Sequence, residues 1–461
     1  MDADQIRRLK PRLSQYLRRF DGCFARRDTR AHLPVYVQGQ LSDLPRKSVE
    51  PMALQAGAAP RTLQEFLSLL TWDERRMRDR LEEIVAAEHA DPHAVGVIDE
   101  TSFAKKGDKT PGVQRQWCGA LGKTDNCVVT VHLSFARDGF HCLLDGELYL
   151  PESWAEDEER RREAGIPEAL SYRPKWQIAL ELYDQARGNG LQFAWLTFDE
   201  QYGSKPPFLR ALAERHQRFI GEVPRTFTGW IRPPRVTWRR FRRARGRPRQ
   251  TPRRVSGSRP AMSVEAMARS SPVLRDQPWQ RWRVRDGAKG PRVWEVKHAL
   301  MYPPDERGLP AQKPLHLVVA RNLLAPEEVK FFVSNAAAKT PVASLLLAGF
   351  SRWHIERCFE DGKGEVGLDH YEGRTYLGLK RHLAVSAVSY LFLARVREHL
   401  AGEKSAPDGG PGAPRAGRLG AMLVAWHPSP PAADRTHRPD HSRASSQQRQ
   451  SPGQPREGHT A

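Results

Sequence analysis

The order of apolar runs between residues 94 and 223 constrains the fold of this chain more than any other feature. Three successive runs have the length and composition of strands, and further strands then alternate with helical patterns. The order is strand, strand, strand, helix, strand, helix, strand, at 94–99, 127–135, 141–150, 175–190, 193–199, 205–216 and 218–223. Because this order is typical of a mixed sheet covered by helices, we predict an α/β fold.

Two of these runs end in an aspartate, AVGVID at Asp99 and FAWLTFD at Asp199. If their strands are neighbours, the two carboxylates repel each other unless a divalent cation lies between them. Mg²⁺ prefers oxygen ligands, and a pair of such ions can activate an attacking oxygen and stabilise a leaving one. A glutamate follows each aspartate, and since successive strand side chains point to opposite faces, we favour the aspartates as ligands. The alternative is a solvated strand end, which explains most acids in such positions.

A third acid, Glu356, lies in the helical pattern SRWHIERCFEDGK (351–363). At about 100° per residue, Arg352, Glu356 and Lys363 share one stripe if the helix continues past Gly362. That stripe offers one metal-binding carboxylate between two cations suited to phosphate. A surface Arg–Glu pair at i,i+4 explains the same spacing equally well.

The charge balance indicates a polyanionic partner. The chain has 74 Lys and Arg against 54 Asp and Glu, a net charge of +20. Nucleic acid is the commonest partner of such a chain, and a solubilising surface charge is the alternative. Residues 225–260 alone contain 13 arginines. We expect the run 225–254 either to bind DNA nonspecifically or to form a solvated loop.

The remaining composition indicates a protein of the cell interior. The five cysteines include no C-x-x-C pair, which argues against a disulfide framework and a structural zinc site. No apolar run approaches the ~20 residues of a membrane span, and the N-terminus lacks the apolar core of a signal peptide. We therefore predict a cytoplasmic, nucleoid-associated protein with no membrane partner.

The predicted organisation has a helical N-terminal domain, a core in two parts, an insertion and a tail. Their boundaries are 1–90, 91–223 with 335–400, 224–334 and 401–461. The N-terminal helices either bind DNA ends or form a packing subdomain. The insertion is expected to be mainly β, with the arginine-rich loop at its start. The tail is rich in Pro, Gly, Ser and Arg, so we expect disorder there apart from a candidate short helix at 418–426.

These motifs together resemble those of DDE-type insertion-sequence transposases, in the subgroup with a Y-(2)-R-(3)-E-(6)-K motif. The resemblance runs through VIDETSFAKKG (97–107), TFDEQYG (197–203) and RWHIERCFEDGKGEVGLDHYEGR (352–374). It covers about residues 90–400. The R, E and K of the motif fall on Arg352, Glu356 and Lys363. Gly349 stands where the motif has tyrosine, and the neighbouring Phe350 has no hydroxyl to replace it.

The resemblance implies a ribonuclease-H-like mixed sheet core interrupted by the β-rich insertion. In such a core, Asp99 lies on the first strand, Asp199 follows the fourth, and Glu356 lies on a helix after the insertion. The three acids are then expected to be catalytic and to hold Mg²⁺ or Mn²⁺, two ions per active site. Arg352 and Lys363 are expected to position phosphates. The implied partner is double-stranded DNA, both inverted-repeat ends and target, bound by a homodimer.

Four further residues are candidates for DNA contact. Lys105 and Lys106 follow the first aspartate and either contact phosphate or lie in a solvated hairpin loop. Tyr202, in the second motif, either helps orient DNA or packs in the core. The resemblance assigns Arg374 to a phosphate contact. The G-K-T sequence at 122–124 does not form a phosphate loop, because Trp117 stands where such a loop needs glycine.

The predicted function is that of a DNA transposase, which cuts and joins the ends of a mobile element by metal-dependent hydrolysis and strand transfer. Two alternatives remain open from the sequence. One is a catalytically inactive, transposase-derived DNA-binding protein. The other is a ribonuclease-H-like DNA nuclease without strand transfer.

Overall fold

A computed structural model describes residues 3–237, 251–287 and 290–404 of the chain. Residues 238–250 of the arginine-rich run and residues 405–461 of the predicted tail, with its candidate helix, lie outside the described residues. Everything described belongs to one compact unit. None of the described helices has the length and apolar character needed to cross a membrane.

The predicted strands and helices between residues 94 and 223 occur in the predicted order, with additional elements among them at Gln114–Cys118, Glu152–Ala155, Glu158–Ala164 and Glu200–Gly203. The helices are α1 (Ala3–Leu17), α2 (Arg27–Gln40), α3 (Val49–Gln55), α4 (Pro60–Ser68), α5 (Glu74–Glu88), α6 (Glu152–Ala155), α7 (Glu158–Ala164), α8 (Lys175–Gly188), α9 (Glu200–Gly203), α10 (Pro206–Glu214), α11 (Val264–Ser270), α12 (Pro272–Arg275), α13 (Val342–Gly349), α14 (Trp353–Asp361) and α15 (Tyr376–Lys404). The strands are β1 (Val95–Ala104), β2 (Gln114–Cys118), β3 (Lys123–Arg137), β4 (Phe140–Leu148), β5 (Trp195–Phe198), β6 (Phe219–Val223), β7 (Thr228–Gly229), β8 (Val236–Thr237), β9 (Arg253–Arg254), β10 (Met262–Ser263), β11 (Gln280–Gly287), β12 (Gly290–Met301), β13 (Leu315–Asn322) and β14 (Val329–Ser334). Three further helical turns occur, two of 3-10 type and one of π type, at Arg18–Cys23, Phe350–Arg352 and Gly362–Val366.

Five strands form the centre of the main sheet in the order β4, β3, β1, β5, β6. The β4–β3 and β3–β1 pairs are antiparallel, whereas β1–β5 and β5–β6 are parallel. The parallel pairs require crossover connections, and α8 and α10 provide them. This mixed sheet with its covering helices confirms the predicted fold class.

The insertion continues this sheet. Strand β14 pairs antiparallel with β6, and β13, β12 and β11 follow in turn. Apolar side chains that are almost fully buried, such as Val318, Phe332 and Val333, make these strands part of the core. Because the added strands lie beside β6, the insertion borders the same sheet edge as Asp199.

The N-terminal helices pack around α15. The Tyr36 hydroxyl hydrogen-bonds His382 Nδ1 at 2.9 Å, and the Gln40 amide donates to the Ser386 hydroxyl at 2.8 Å. Arg381 of α15 donates to backbone carbonyls of residues 66, 67, 70 and 72. These buried contacts join the first and last parts of the described chain.

One detail of the predicted strands is wrong. Asp99 does not end its strand: β1 continues for five residues beyond it, to Ala104. The reason is the long partner strand β3, whose residues pair with β1 all the way from Val95 to Ala104. Asp199 does follow directly after β5. The predicted helical pattern at 351–363 is divided between the end of a 3-10 turn, α14 and the start of a π turn.

Candidate active site

Asp99 and Asp199 are brought together by the register of two parallel strands. The last residue pair of β1 and β5 is Ile98 and Phe198, so the aspartates occupy the next position on each strand. Asp199 is fixed as the N-cap of α9, where its carboxylate accepts hydrogen bonds from the backbone N–H of Gln201 at 3.0 Å and Tyr202 at 3.4 Å. The sheet therefore holds the two acids side by side.

Arg352 joins Glu356 to this pair. Its guanidinium donates to Asp99 Oδ2 at 2.8 Å and lies 3.0 Å from Glu356 Oε1. The Asp99 side chain is 12% exposed and the Glu356 side chain 57% exposed, so the site opens from the sheet edge towards solvent. Arg352 thus bridges Asp99 and Glu356, and its charge also acts on Asp199 beside them.

Burial dominates the electrostatics of the two aspartates, and the charge of Arg352 is the main effect that opposes it. Burial raises the pKa of Asp99 to about 7, Arg352 opposes the rise, and Asp199 adds to it. Burial also raises the pKa of Asp199. Burial works against the charge of Arg352, but Asp99 and Glu356 raise its pKa above the usual value. A pocket with this charge distribution attracts cations.

The donor chemistry fits a divalent cation such as Mg²⁺ or Mn²⁺, since all three acids offer hard carboxylate oxygens. Within the described residues, however, no three acidic, histidine or cysteine side chains lie close enough together to hold a metal ion. The guanidinium of Arg352 lies between Asp99 and Glu356 and supplies the positive charge there. Binding of an ion by all three acids would therefore require Arg352 to move.

The glutamate next to Asp99 is turned to another partner. Glu100 accepts a hydrogen bond from Lys175 of α8 at 2.7 Å. Since Arg352 contacts Asp99 from the 3-10 turn just before α14, the two consecutive acids contact partners on opposite faces of the sheet.

The predicted cations fall into two groups. Lys363 Nζ donates to the Ser102 carbonyl at 3.2 Å, and Lys105 Nζ donates to the carbonyls of Asp369 and Tyr371. These two ammonium groups are therefore occupied by the protein backbone. Lys106 and Arg374 are instead exposed, and both line a cleft of about 920 Å³ beside β1.

Tyr202 is buried, with 1% of its surface exposed. Its ring packs against Phe208, and its hydroxyl has no hydrogen-bond partner among the described residues. At this depth the side chain supports the strand-to-helix turn that carries Asp199 and is not accessible to DNA.

Gly349, at the tyrosine position of the motif, is tightly packed. A Cβ atom there would lie 3.2 Å from Ile220 Cδ1 and 3.6 Å from Phe332 Cδ1. A side chain at this position would therefore require the end of the Ile220 side chain to shift by a few tenths of an ångström.

The sequence did not predict one ion pair that lies beside the candidate active site. Lys330 of β14 donates to both carboxylate oxygens of Glu222 at 3.0 Å. Glu222 also contributes to the raised pKa of Arg352, and these residues line a pocket of about 180 Å³ that reaches Glu356. The strand pattern at 218–223 contained Glu222 as a polar residue in an apolar run, but only the pairing of β6 with the insertion gives it a partner.

Comparison with known proteins decides the family. The family of DDE superfamily endonucleases matches residues 19–291, more than half of the chain. The chain belongs to the DDE superfamily of endonucleases. The family predicted from the motifs is thereby confirmed. The matched residues of this DDE protein include Asp99 and Asp199 and end before Glu356.

A relative of the DDE protein is a "Probable transposase for insertion sequence element IS701" from Microchaete diplosiphon. The two sequences are 32% identical over 212 residues, which make up 44% of this chain. The aligned part spans about half, 53%, of the relative.

Proposed function

We propose that this chain is a DNA transposase that cuts the ends of its mobile element and joins them to target DNA. The observation that supports the proposal is that Asp99 and Asp199 lie on neighbouring parallel strands and that Arg352 bridges Asp99 to Glu356, in a DDE-family chain. The probable transposase from Microchaete diplosiphon supports the same activity. The net charge of +20 supports DNA as the partner.

In this proposal, Asp99, Asp199 and Glu356 hold two Mg²⁺ or Mn²⁺ ions. The ions would supply activation of the attacking oxygen and stabilisation of the leaving oxygen. Arg352 then turns from the acids to a phosphate of the bound DNA, where its planar guanidinium suits two phosphate oxygens. Lys106 and Arg374, exposed along the cleft, bind phosphates further from the cut. Two copies of the chain pair the two ends of the element.

The direct test compares cleavage of a duplex that carries the end of the element, with Mg²⁺ present. Glu356→Gln should lower the cleavage rate by at least about 10²-fold, the scale of losing one group that stabilises charge in the transition state. Glu360→Gln is the matched control, since Glu360 lies one turn further along α14, is 71% exposed, and pairs with Arg357. Equal rates for Glu356→Gln and wild type would refute the assignment of Glu356.

Two observations favour the alternative of a DNA-binding protein without catalysis. The described acids do not form a closed metal site, and Gly349 replaces the motif tyrosine. Under that alternative, wild-type protein binds the duplex but does not cut it. A nuclease without strand transfer would cut the duplex, and a paired-end assay would then yield no joined products.

A further inference from the structure

An apolar cavity of about 540 Å³ lies beside β1, on the face of the sheet to which Asp99 points. Apolar side chains line it, among them Val95, Phe140, Trp195, Leu347 and Trp353. Val95 precedes Asp99 by four residues on β1, so the two side chains share one face of the sheet and lie roughly 13 Å apart. The cavity and the candidate active site are therefore neighbours on that face.

The segment that carries Arg352 forms one wall of this cavity. Phe350, Ser351 and Trp353 line it, and Arg352 lies between the last two in the chain. Phe350 and Trp353 are only partly buried, so the wall presents apolar surface to an occupant. An occupant of the cavity would therefore contact the turn from which Arg352 reaches Asp99.

The last described helix ends close to the cavity. Arg137, which lines the cavity, donates to the carboxylate of Glu398 on α15. Arg397 pairs with Asp361, the last residue of α14. From Glu398 to its end at Lys404, α15 rises by only about 9 Å. The residues that follow α15 therefore begin near the cavity.

The sequence after α15 contains one apolar run, which includes LGAMLVA at 419–425. We call residues 419–425 the tail run. The rest of the sequence after Lys404 consists mainly of Pro, Gly, Ala and polar residues. Residues 405–418 separate the tail run from α15 and can span at most roughly 50 Å, at 3.3–3.6 Å per residue. This reach far exceeds the rise of about 9 Å between Glu398 and the end of α15, so the tail run can enter the cavity.

Charge and spacing also fit the tail run to the cavity. Arg418 directly precedes the tail run. Asp138, which lines the cavity, is exposed and has no ion-pair partner within the described part of the chain. Leu419, Met422 and Leu423 have the i, i+3, i+4 spacing of one helix face. A short helix would thus present three large apolar side chains together, with a cation at its start.

We propose that the tail run docks in this apolar cavity of its own chain and supports the turn that carries Arg352. Docking buries the three large apolar side chains of its helix face against the apolar lining, which is favourable. Arg418 pairs with Asp138 at the mouth of the cavity. The short connection to α15 keeps the tail run at a high effective concentration near the cavity. Docking requires neither DNA nor a metal ion, so its test is independent of the proposed function.

The test is hydrogen–deuterium exchange of the chain of 461 residues, without DNA. The backbone amides of the tail run should exchange at least about tenfold more slowly than those of a free peptide of the same sequence, because a docked helix protects its amides. Leu347→Asp, which places a charge in the cavity, should remove this protection. Leu324→Asp is the matched control, since Leu324 is 88% exposed and does not line the cavity, and it should leave the protection unchanged.

A second variant reads the same contact from the other side. Leu423→Asp changes the tail run and no residue of the described core. It should remove the protection of the tail run and speed exchange of residues 350–354 by at least about threefold, because the turn loses its support. Thermal denaturation should show that Leu347→Asp is folded, and Leu423→Asp tests the docking even if it is not. Both measurements are repeated over a tenfold range of protein concentration, where docking within one chain should show no change.

Four results would overturn the inference. If the tail run exchanges as fast as the free peptide, it does not dock. If its protection persists in folded Leu347→Asp, it docks outside the cavity. If Leu423→Asp leaves exchange of residues 350–354 unchanged, the tail run does not support the turn that carries Arg352. If protection rises with protein concentration, a second copy of the chain supplies the occupant.

Discussion

Lys105 and Lys106 are adjacent and look equivalent in the sequence, yet the structure gives them different tasks. We predict opposite effects for Lys105→Met and Lys106→Met, which remove the same charge and keep similar side-chain length. Lys105 Nζ donates to the carbonyls of Asp369 and Tyr371, and these bonds hold the segment after α14 against β1. Lys106 is exposed on the cleft.

The magnitudes follow from these contacts. A hydrogen bond from a charged donor contributes about 1.5–3 kcal/mol. Burial lowers the pKa of Lys105 to about 8, so the two bonds do not fully offset the cost of burying the charge, and the expected loss comes from the two carbonyls left without a donor. We therefore expect Lys105→Met to lower the free energy of unfolding by about 2 kcal/mol. Lys106→Met should change it by less than about 0.5 kcal/mol, as is usual at the surface.

DNA binding should show the reverse order. Anisotropy titrations of a duplex between ~50 and ~200 mM salt give the slope of log affinity against log salt. Lys106→Met should reduce the slope by about 0.9, the value for one phosphate contact. Lys105→Met should leave it unchanged, and urea denaturation without DNA gives the stabilities. Equal effects of the two variants on stability, or a smaller slope for Lys105→Met alone, would refute this division of roles.

Three further predictions concern pH, a buried ion pair and the motif glycine. Because the pKa of Lys105 is lowered to about 8 in the folded chain, unfolding takes up a proton between about pH 8 and the ordinary pKa of 10.5. The contribution of Lys105 to the free energy of unfolding therefore rises with pH across that window, by at most ~1.4 kcal/mol per pH unit. The Lys105→Met variant should lack this rise when its denaturation is measured over the same pH range. Arg78→Met leaves the buried Asp145, 3.0 Å from Arg78, without its partner, and should cost about 3–5 kcal/mol in thermal denaturation. Arg76→Met, at an exposed pair, should cost less than about 1 kcal/mol, and similar losses for both would contradict the prediction. Gly349→Tyr, which restores the motif residue, should lower the free energy of unfolding by about 1–3 kcal/mol through overpacking. An unchanged melting temperature would show that the space between α13, β6 and β14 can hold the larger side chain.

Part of this structure follows directly from the sequence. The apolar runs at 94–99 and 193–199 locate β1 and β5, and the order of strands and helices gives the mixed sheet. The end of β1 could not be predicted in the same way. Residues 100–104 are not a simple apolar run, and they remain in the strand because β3 offers backbone partners up to Cys127. Strand length here is set by a partner distant in the chain.

The sequence predicted which residues form the candidate site better than it predicted which of them contact each other. Arg352 and Glu356 are one helical turn apart, and this spacing indicated a shared stripe. The contact between Arg352 and Asp99 depends on how α14 packs on β1, which local patterns do not contain. The same holds for the Lys105 ammonium and for Glu222, whose partners lie on segments far away in the chain.

The convergence of three acids on one cation site is tested most directly by Mn²⁺ binding, measured as the loss of the free-ion electron paramagnetic resonance signal. Asp99→Asn, Asp199→Asn and Glu356→Gln should each weaken Mn²⁺ binding by at least about tenfold, on the scale of changes around metal ligands. Glu360→Gln, on the same helix as Glu356, should bind Mn²⁺ like wild type. Wild-type Mn²⁺ affinity in all three acid variants would contradict a shared metal site, whatever the cleavage assays show.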